Sequence, residues 1–443
     1  MPPIRRPDTI AALSSGSLPS GVAVVRVSGT LARKALSRIA GSVPEARRAS
    51  LRLLRDGEGT PLDRGLALFF EAPGTATGED IAEFHLHGGR AVVAGVLEAL
   101  TAISGIRLAE AGEFTRRAFE NGTIDLTEAE GLADLLAAET AAQRAHALAN
   151  AGGDLRALYE GWAARLVRAR ALLEASFDFA DEGDVAADVA APVRRIAAGL
   201  AEEMREHLAG ARRGEILREG FRVAIVGAPN AGKSTLLNAL AQREAAIVTD
   251  VPGTTRDVIE VMLDLGGFAV RLSDTAGLRE TADPVERIGV ERAKGAMAAA
   301  DLVLELESPD ALLPAELRDA ARDVPRLRIR TKADVESGQE TTPANISVSA
   351  RTGEGMAALA DRIATEAARA VPDPAALVPA RARHREAVAA ALRQLDEFAA
   401  SAAPAEIGAE LLRLAGDKLG RLTGRTDVED LLDVIFSEFC IGK

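Results

Sequence analysis

The segment 227–234 carries the clearest chemistry in the sequence. It reads Gly-Ala-Pro-Asn-Ala-Gly-Lys-Ser and directly follows the apolar run 223–226, so it fits the G-x-x-x-x-G-K-[ST] pattern of a phosphate-binding loop between a strand and a helix. Glycines allow backbone N–H groups to turn toward phosphate oxygens, Lys233 can reach the β and γ oxygens, and the Ser234 hydroxyl can bind Mg²⁺. These residues predict a site for a nucleoside triphosphate.

Three further segments predict which nucleotide binds. Asp274 begins an Asp-Thr-Ala-Gly segment after a strand-like run and supplies a carboxylate on the Mg²⁺ side. The segments 331–334 (Thr-Lys-Ala-Asp) and 349–351 (Ser-Ala-Arg) each follow a β-like run, and their spacing suits two loops around a purine base. Asp334 can accept hydrogen bonds from N1 and N2 of guanine, which adenine does not offer in the same way. We therefore expect GTP.

The first position of this base motif departs from the usual pattern. Thr331 stands where the motif Asn-Lys-x-Asp has asparagine. A threonine hydroxyl is shorter and cannot reproduce both contacts of an amide, so we expect weaker guanine binding or a rearranged contact. Lys332 and Asp334 still favour guanine, and equal affinity for GTP and ATP would contradict the assignment.

The segment 246–257 resembles a nucleotide-dependent switch. Thr255 is placed to give Mg²⁺ a second hydroxyl, as the first switch of small GTPases does. The residue after the Asp-Thr-Ala-Gly segment is Leu278 and not glutamine, so the attacking water and the transition-state charge need other partners. Asn230, with carbonyls and hydroxyls from 249–254, can form an all-oxygen cage for a monovalent cation.

The pattern along the chain predicts a multidomain fold with α/β and α parts. In 1–120, short β-like runs (22–27, 66–70 and 81–86) and a helical stretch at 91–100 predict an α+β domain. In 121–217, Ala, Leu, Glu and Arg recur at helical spacing and predict the first part of a helical domain. In 218–370, strand and helix patterns alternate, which predicts an inserted P-loop α/β domain. The segment 371–443, which begins with a proline-rich linker at 371–380, completes the helical domain.

Composition excludes several classes of protein. The chain has 443 residues, 47% apolar and 27% charged, with a net charge of −13, which argues against a nonspecific nucleic-acid binder. Residues 1–120 hold 15 basic and 13 acidic residues, so the acidic excess lies in the rest of the chain. The single cysteine, Cys440, excludes a disulfide framework and a cysteine-rich zinc site. Without a signal-peptide pattern or an apolar run of membrane-spanning length, we expect a cytoplasmic protein.

Taken together, the motifs resemble those of the MnmE (TrmE) family of tRNA-modification GTPases over essentially the whole chain. The resemblance rests on the segments GAPNAGKST, IVTDVPGTTRD, DTAGLR with VERIG, and the C-terminal Phe-Cys-Ile-Gly-Lys. It implies that K⁺ replaces an arginine finger, with ligands from Asn230, Thr249, Val251 and Thr254, while Ser234 and Thr255 bind Mg²⁺. It also implies that Glu286 positions the attacking water through a second water.

The resemblance extends to the two ends of the chain. The N-terminal domain is expected to resemble a tetrahydrofolate-binding domain, to drive dimerisation, and to bind 5-formyltetrahydrofolate through Arg26, Glu83 and Thr123, with Lys443 near the folate. The family commonly has lysine in the segment around Thr123, and tyrosine where this chain has Ala76. In the Cys-Ile-Gly-Lys tail, Cys440 is a candidate nucleophile.

The implied activity is a K⁺-stimulated, Mg²⁺-dependent GTPase. With the flavoprotein partner MnmG (GidA), in a heterotetramer-like complex, it would add a carboxymethylaminomethyl or aminomethyl group at C5 of the tRNA wobble uridine. The predicted GTP contacts are Asn230, Ala231, Gly232, Lys233, Ser234, Thr235, Thr249, Asp250, Val251, Pro252, Gly253, Thr254, Thr255, Asp274, Thr275, Ala276, Gly277, Thr331, Lys332, Ala333, Asp334, Ser349, Ala350 and Arg351.

Two alternatives remain at this point. The first is a regulatory GTPase of ribosome assembly, such as Era or Der, although those proteins append an RNA-binding KH-like domain or a second G domain that this sequence does not show. The second is a dynamin-like membrane GTPase. Such a protein requires basic or amphipathic membrane-binding segments, and the sequence has no strong candidate for such a segment.

Overall fold

The computed structural model describes residues 8–178, 190–243, 246–247, 259–274, 285–308, 310–311, 313–335, 345–401, 404–425, 429–437 and 439–442. The chain divides into two compact units. The first unit comprises Met1–Ala133, Ala151–Ala164 and Gly416–Lys443. The second unit comprises Asp134–Asn150 and Arg165–Ala415.

The first unit begins with a six-stranded sheet. Its strands and helices are β1 (Thr9–Leu13), β2 (Ser20–Ser28), α1 (Ala32–Ala40), β3 (Ser50–Arg55), β4 (Pro61–Phe70), β5 (Ile81–Gly88), α2 (Arg90–Thr101), β6 (Ile106–Leu108) and α3 (Glu113–Glu120). The strand order is β3-β4-β5-β2-β1-β6, and β1 with β6 is a parallel pair in an otherwise antiparallel sheet. The three β-like runs and the helical stretch expected from the sequence are confirmed as parts of β2, β4, β5 and α2.

A run of helices follows, as the helical spacing predicted. These helices are α4 (Leu126–Ala137), α5 (Ala141–Ala151), α6 (Asp154–Asp178), α7 (Ala190–Ala209) and α8 (Ala211–Glu219). In α7, for example, Val193, Ala197, Leu200 and Met204 are buried, because a three- to four-residue period places them on one face of the helix.

The α/β part of the second unit is a seven-stranded sheet. Its elements are β7 (Phe221–Gly227), α9 (Lys233–Arg243), β8 (Ala246–Ile247), β9 (Ile259–Leu265), β10 (Phe268–Asp274), α10 (Val285–Ala299), β11 (Leu302–Glu307), α11 (Ala315–Arg318), β12 (Arg326–Arg330), β13 (Ile346–Ser347) and α12 (Met356–Ala370). The order is β13-β12-β11-β7-β10-β9-β8. From β13 to β10 all pairs are parallel, whereas β9 is antiparallel to both of its neighbours.

Parallel pairing explains why the motif loops meet. The strands β7, β10, β11 and β12 run in one direction, so their carboxyl ends lie at one edge of the sheet, where α/β proteins bind ligands. The central strands are apolar because both of their faces are covered, and Val223, Ile225 and Leu304 are fully or almost fully buried.

The chain ends in three helices and a short tail. They are α13 (Ala382–Ala400), α14 (Ala405–Thr423) and α15 (Glu429–Ser437), and α13 begins where the sequence predicted the return to helix. In the first unit the tail lies against the amino-terminal sheet: the Ser14 hydroxyl donates to the Gly442 carbonyl over 2.8 Å, and Ile441 forms a bridge with Ala111. No helix among the described residues is long and apolar enough to span a membrane.

Candidate nucleotide-binding site

The phosphate-binding loop joins β7 to α9 in the predicted strand–loop–helix order. Asn230 and Gly232 have φ values of 63° and 90°, a left-handed conformation that glycine adopts readily and asparagine tolerates. The buried Lys233 folds back over the loop, where its Nζ donates to the carbonyls of Gly227 over 2.8 Å and Ala228 over 2.9 Å. The ammonium group is therefore held at the predicted phosphate-binding loop.

Ser234 and Asp274 meet at the carboxyl edge of the sheet. The Ser234 hydroxyl donates to Asp274 Oδ2 over 2.6 Å, because β7 and β10 are neighbouring parallel strands. Asp274 is only 1% exposed. Burial lowers the pKa of Lys233, and the Asp274 carboxylate acts in the opposite direction. A hydroxyl oxygen beside a buried carboxylate is suitable for Mg²⁺, which prefers oxygen ligands.

A cavity of about 200 Å³ lies beside the phosphate loop. The residues that line it come from the loop, from α9 and from the two predicted base loops: Gly232, Thr235, Leu236, Thr331, Lys332, Asp334, Val335, Val348, Ala350 and Arg351. Its walls are mostly apolar, which suits a planar purine. The structure thus brings the 331–334 and 349–351 segments together, as their spacing predicted.

Asp334 is held at this cavity by two partners. The Ser349 hydroxyl donates to Asp334 Oδ1 over 2.6 Å, and Arg351 Nη2 lies 2.8 Å from Oδ2. The hydrogen bond from Ser349, together with the charge of Arg351, lowers the pKa of Asp334. The Ala333 N–H donates to the Val348 carbonyl over 3.1 Å and joins the two loops. The carboxylate is therefore ionised and oriented, which suits an acceptor for guanine N1 and N2 hydrogens.

Thr331 contacts the phosphate loop. Its hydroxyl lies 2.7 Å from the Ala231 carbonyl and 3.2 Å from the Glu307 carbonyl, and donates toward both. The side chain is buried. The sequence predicted either weaker base binding or a rearranged contact at this position, and the observed partner of the hydroxyl is the protein backbone. Lys332 has a φ of 57°, and its Nζ lies 3.6 Å from Asp310.

Several predicted residues fall outside the described residues. These are Thr249, Asp250, Val251, Pro252, Gly253, Thr254, Thr255, Thr275, Ala276, Gly277 and Lys443. Glu286 belongs to α10, but its side chain is not described. The K⁺ ligands, the second Mg²⁺ hydroxyl and the water-positioning glutamate therefore stay predictions; of the proposed K⁺ ligands, only Asn230 lies among the described residues.

In the first unit, two of the predicted folate residues are direct neighbours. Arg26 in β2 pairs in register with Glu83 in β5, and the guanidinium donates to Glu83 Oε1 over 2.9 Å. His85 was not among the predicted residues, and it lies 3.1 Å from Glu83 Oε2. The alternation of side chains along β5 places Glu83 and His85 on the same face of the strand, and this alternation could have indicated the pair. Thr123 lies against the turn at Gly78, where an added Cβ would be 3.0 Å from its hydroxyl.

A buried charge network in the first unit was also not predicted. The Arg117 side chain, 1% exposed, contacts the carboxylates of Asp8, Glu79 and Glu113 at 3.0–3.2 Å. Burial alone would raise the pKa of Glu113, but hydrogen bonds from Arg107 and Arg117 lower it to about 2. The i,i+4 pair Glu113–Arg117 was visible in the sequence, whereas its burial depends on the tertiary fold.

Comparison with known proteins gives matches over almost the whole chain. Residues 9–123 match the family model described as the GTP-binding protein TrmE N-terminus, and residues 126–440 match the model of the MnmE helical domain. The G domain of the T. maritima FeoB iron transporter covers 33% of this chain at 23% identity and a TM-score of 0.25, which is too low to support a conclusion.

Full-length relatives are much more similar. The tRNA modification GTPase MnmE of Sinorhizobium medicae is 51% identical over 441 residues, covering 98% of this chain and 99% of the relative. The protein of the same name from Mesorhizobium japonicum is 52% identical over 441 residues with the same coverage. Because the alignments run nearly end to end and both family models match, the chain belongs to the MnmE (TrmE) family.

Proposed function

We propose that this protein is a Mg²⁺-dependent GTP hydrolase that acts in tRNA modification in the cytoplasm. The observation that carries the proposal is the placement of the Ser234–Asp274 pair and the Asp334 cavity at one edge of one sheet. Phosphate and base sites so arranged suit a guanine nucleotide. The names of the full-length relatives support tRNA modification as the setting.

The residues of this chain perform separate parts of the reaction. The Lys233 ammonium group, held at the phosphate loop, would contact the phosphates. The Ser234 hydroxyl oxygen would bind Mg²⁺, and Asp274 orients that hydroxyl by accepting its hydrogen. When bound, Mg²⁺ would neutralise charge on the β and γ phosphates. Asp334 orients the base, so the γ-phosphate is presented in a defined position. In our proposal, Glu286 positions the attacking water.

A monovalent cation site completes the proposal. Asn230 lies in the phosphate loop with a left-handed backbone, and its amide oxygen is a suitable ligand for K⁺. Thr249, Val251 and Thr254 are proposed as the remaining ligands, and Thr255 as the second Mg²⁺ ligand. When bound, K⁺ would supply the positive charge that an arginine finger supplies in other GTPases.

The modification chemistry is proposed for the first unit. The guanidinium of Arg26 and the carboxylate of Glu83 suit the glutamate and pterin parts of 5-formyltetrahydrofolate, with Thr123 and Lys443 as further contacts. Cys440 is a free cysteine on the tail of the same unit, and its side chain is exposed, as a nucleophile that must reach a substrate requires. We propose that the protein works as a homodimer with the flavoprotein MnmG on C5 of the tRNA wobble uridine.

GTP turnover in matched salts tests the core of the proposal. The wild-type protein should hydrolyse GTP with Mg²⁺, faster in KCl than in NaCl of equal ionic strength, and should bind GTP more tightly than ATP. Asp334→Asn should shift binding from GTP to XTP, because an amide can donate to the 2-oxo group of xanthine. Equal rates in the two salts would contradict the K⁺ site alone, and equal GTP and ATP affinities would contradict the guanine assignment.

A further inference from the structure

Thr331 has one hydroxyl hydrogen, and the protein already uses it. The hydroxyl oxygen lies 2.7 Å from the Ala231 carbonyl and 3.2 Å from the Glu307 carbonyl. The Glu307 carbonyl already accepts a hydrogen bond from the Thr331 backbone N–H over 2.8 Å. The Thr331 hydroxyl therefore donates its hydrogen preferentially to the Ala231 carbonyl, which is the closer of the two acceptors. The side chain is 5% exposed, and a buried carbonyl deprived of its donor is costly.

The chemistry of this position differs from that of asparagine. An asparagine amide carries two hydrogens, so one can hold the Ala231 carbonyl while the other is offered to the acceptor N7 of a purine. A threonine hydroxyl carries one hydrogen. If Thr331 donated to N7, it would have to release the phosphate loop, and the gain and the loss would be of similar size.

Thr331 lies close enough to the base cavity for its choice of hydrogen-bond acceptor to affect base recognition. Thr331 lines the 200 Å³ cavity together with Asp334, and its Cβ lies 3.8 Å from where a Cβ on Gly232 would be. The side chain is thus packed between the phosphate loop and the base cavity. Its polar atom faces the loop backbone, so it acts on the nucleotide through the loop as a positioning residue.

We propose that this protein recognises guanine without a hydrogen bond from position 331 to N7, and therefore accepts guanine nucleotides in which N7 is replaced by carbon. Recognition then rests on the Watson–Crick edge at Asp334, whose two oxygens are oriented by Ser349 and Arg351. This inference rests on the proposed guanine-binding function, and it assigns recognition of the base to its Watson–Crick edge.

Calorimetric titration of the full-length protein with GDP and 7-deaza-GDP tests the inference. The wild-type protein should bind both with affinities equal within about twofold. Thr331→Asn restores a second hydrogen, so this variant should prefer GDP by about two- to tenfold, the range for one neutral hydrogen bond. Thr331→Val keeps the shape but loses the loop contact, so it should weaken both ligands by the same factor.

The outcomes distinguish a failure of the N7 inference from a failure of the proposed guanine binding. A wild-type preference for GDP of more than about threefold would overturn the inference and leave guanine binding intact. The absence of a preference in a folded Thr331→Asn variant, checked by its melting temperature, would also overturn it, because position 331 would then not decide N7 recognition. A wild-type protein that binds neither ligand would contradict the proposed function and the inference with it.

Discussion

Two buried histidines should make the second unit sensitive to acid. His146 in α5 and His207 in α7 are buried, and burial, followed by the proximity of His384, lowers the pKa of each to about 4. His146 Nε2 also lies 3.1 Å from Asn150 Nδ2, a donor that suits the neutral ring. The two histidines take up protons near pH 6.5 in the unfolded chain but only near pH 4 in the folded chain, so protons favour the unfolded chain between these values. The stabilisation by the neutral histidines is therefore complete above pH 6.5 and is lost as the pH falls toward 4.

The expected loss can be calculated from these pKa values. With an unfolded pKa of 6.5 and a folded pKa of about 4, lowering the pH from 7 to 5 reduces the free energy of unfolding by about 2 kcal/mol for each histidine, or about 4 kcal/mol for both. His207→Gln cannot take up a proton, so this variant should lose about 2 kcal/mol less than the wild type over the same interval.

Urea unfolding followed by circular dichroism at pH 7 and pH 5 measures this difference. Met204→Leu is the matched control, because Met204 is buried in the same helix and does not titrate, so it should keep the full pH dependence of the wild type. A wild-type change below about 1 kcal/mol, or the same pH dependence in His207→Gln and in the wild type, would refute the reasoning.

Three further predictions concern the metal site, the tail and the buried charges. Asp274→Asn weakens the group that orients the Ser234 hydroxyl, so the Mg²⁺ concentration for half-maximal GTP hydrolysis should rise by about 10- to 100-fold; an unchanged Mg²⁺ requirement would contradict the role of Asp274. Gly442→Ala places a Cβ 2.0 Å from the Leu13 carbonyl oxygen at a residue with a φ of 97°, so this variant should weaken docking of the tail by about 1–3 kcal/mol. Carboxypeptidase should then digest the tail faster. Gly16→Ala is the control, because Gly16 has open space around it, and it should not change the rate of digestion. Arg117→Met removes the buried guanidinium that Asp8, Glu79 and Glu113 share, while Glu113 keeps Arg107 as an ion-pair partner; this variant should lose about 3–5 kcal/mol in urea unfolding. Arg48→Met at an exposed pair should change stability by less than about 1 kcal/mol. Similar losses in both variants would show that burial does not decide the cost.

Local sequence patterns predicted the secondary structure well. The strand-like runs at 22–27, 66–70 and 81–86 lie within strands, and the helix after the linker begins at Ala382 as expected. Such features depend on residues close in the chain, whose alternation or helical spacing is visible in the sequence. The expected domain boundaries stay predictions, and the compact units cross them, since Ala151–Ala164 and Gly416–Lys443 group with the amino-terminal sheet.

Long-range contacts could not be read from the sequence. Thr331 and Ala231 are separated by 100 positions, and no local pattern shows that a threonine hydroxyl would donate to the phosphate loop. The same holds for the contact between Gly442 and Leu13. Sequence spacing alone did not show that Arg117 would be buried among three carboxylates, because burial depends on elements that pack from distant parts of the chain.

The sequence by itself determined the family, the phosphate-binding loop and the succession of a mixed α and β segment, a helical segment, an alternating α/β segment and a second helical segment, since these follow from motifs and from short-range periodicity. Only the tertiary structure decided which partners the polar groups of the site have. Asp334 is oriented by Ser349 and Arg351, and the hydroxyl of Thr331 is directed at the backbone. The physical reason is that a hydrogen bond requires donor and acceptor within about 3 Å, and only the folding of the parallel sheet brings these distant loops that close.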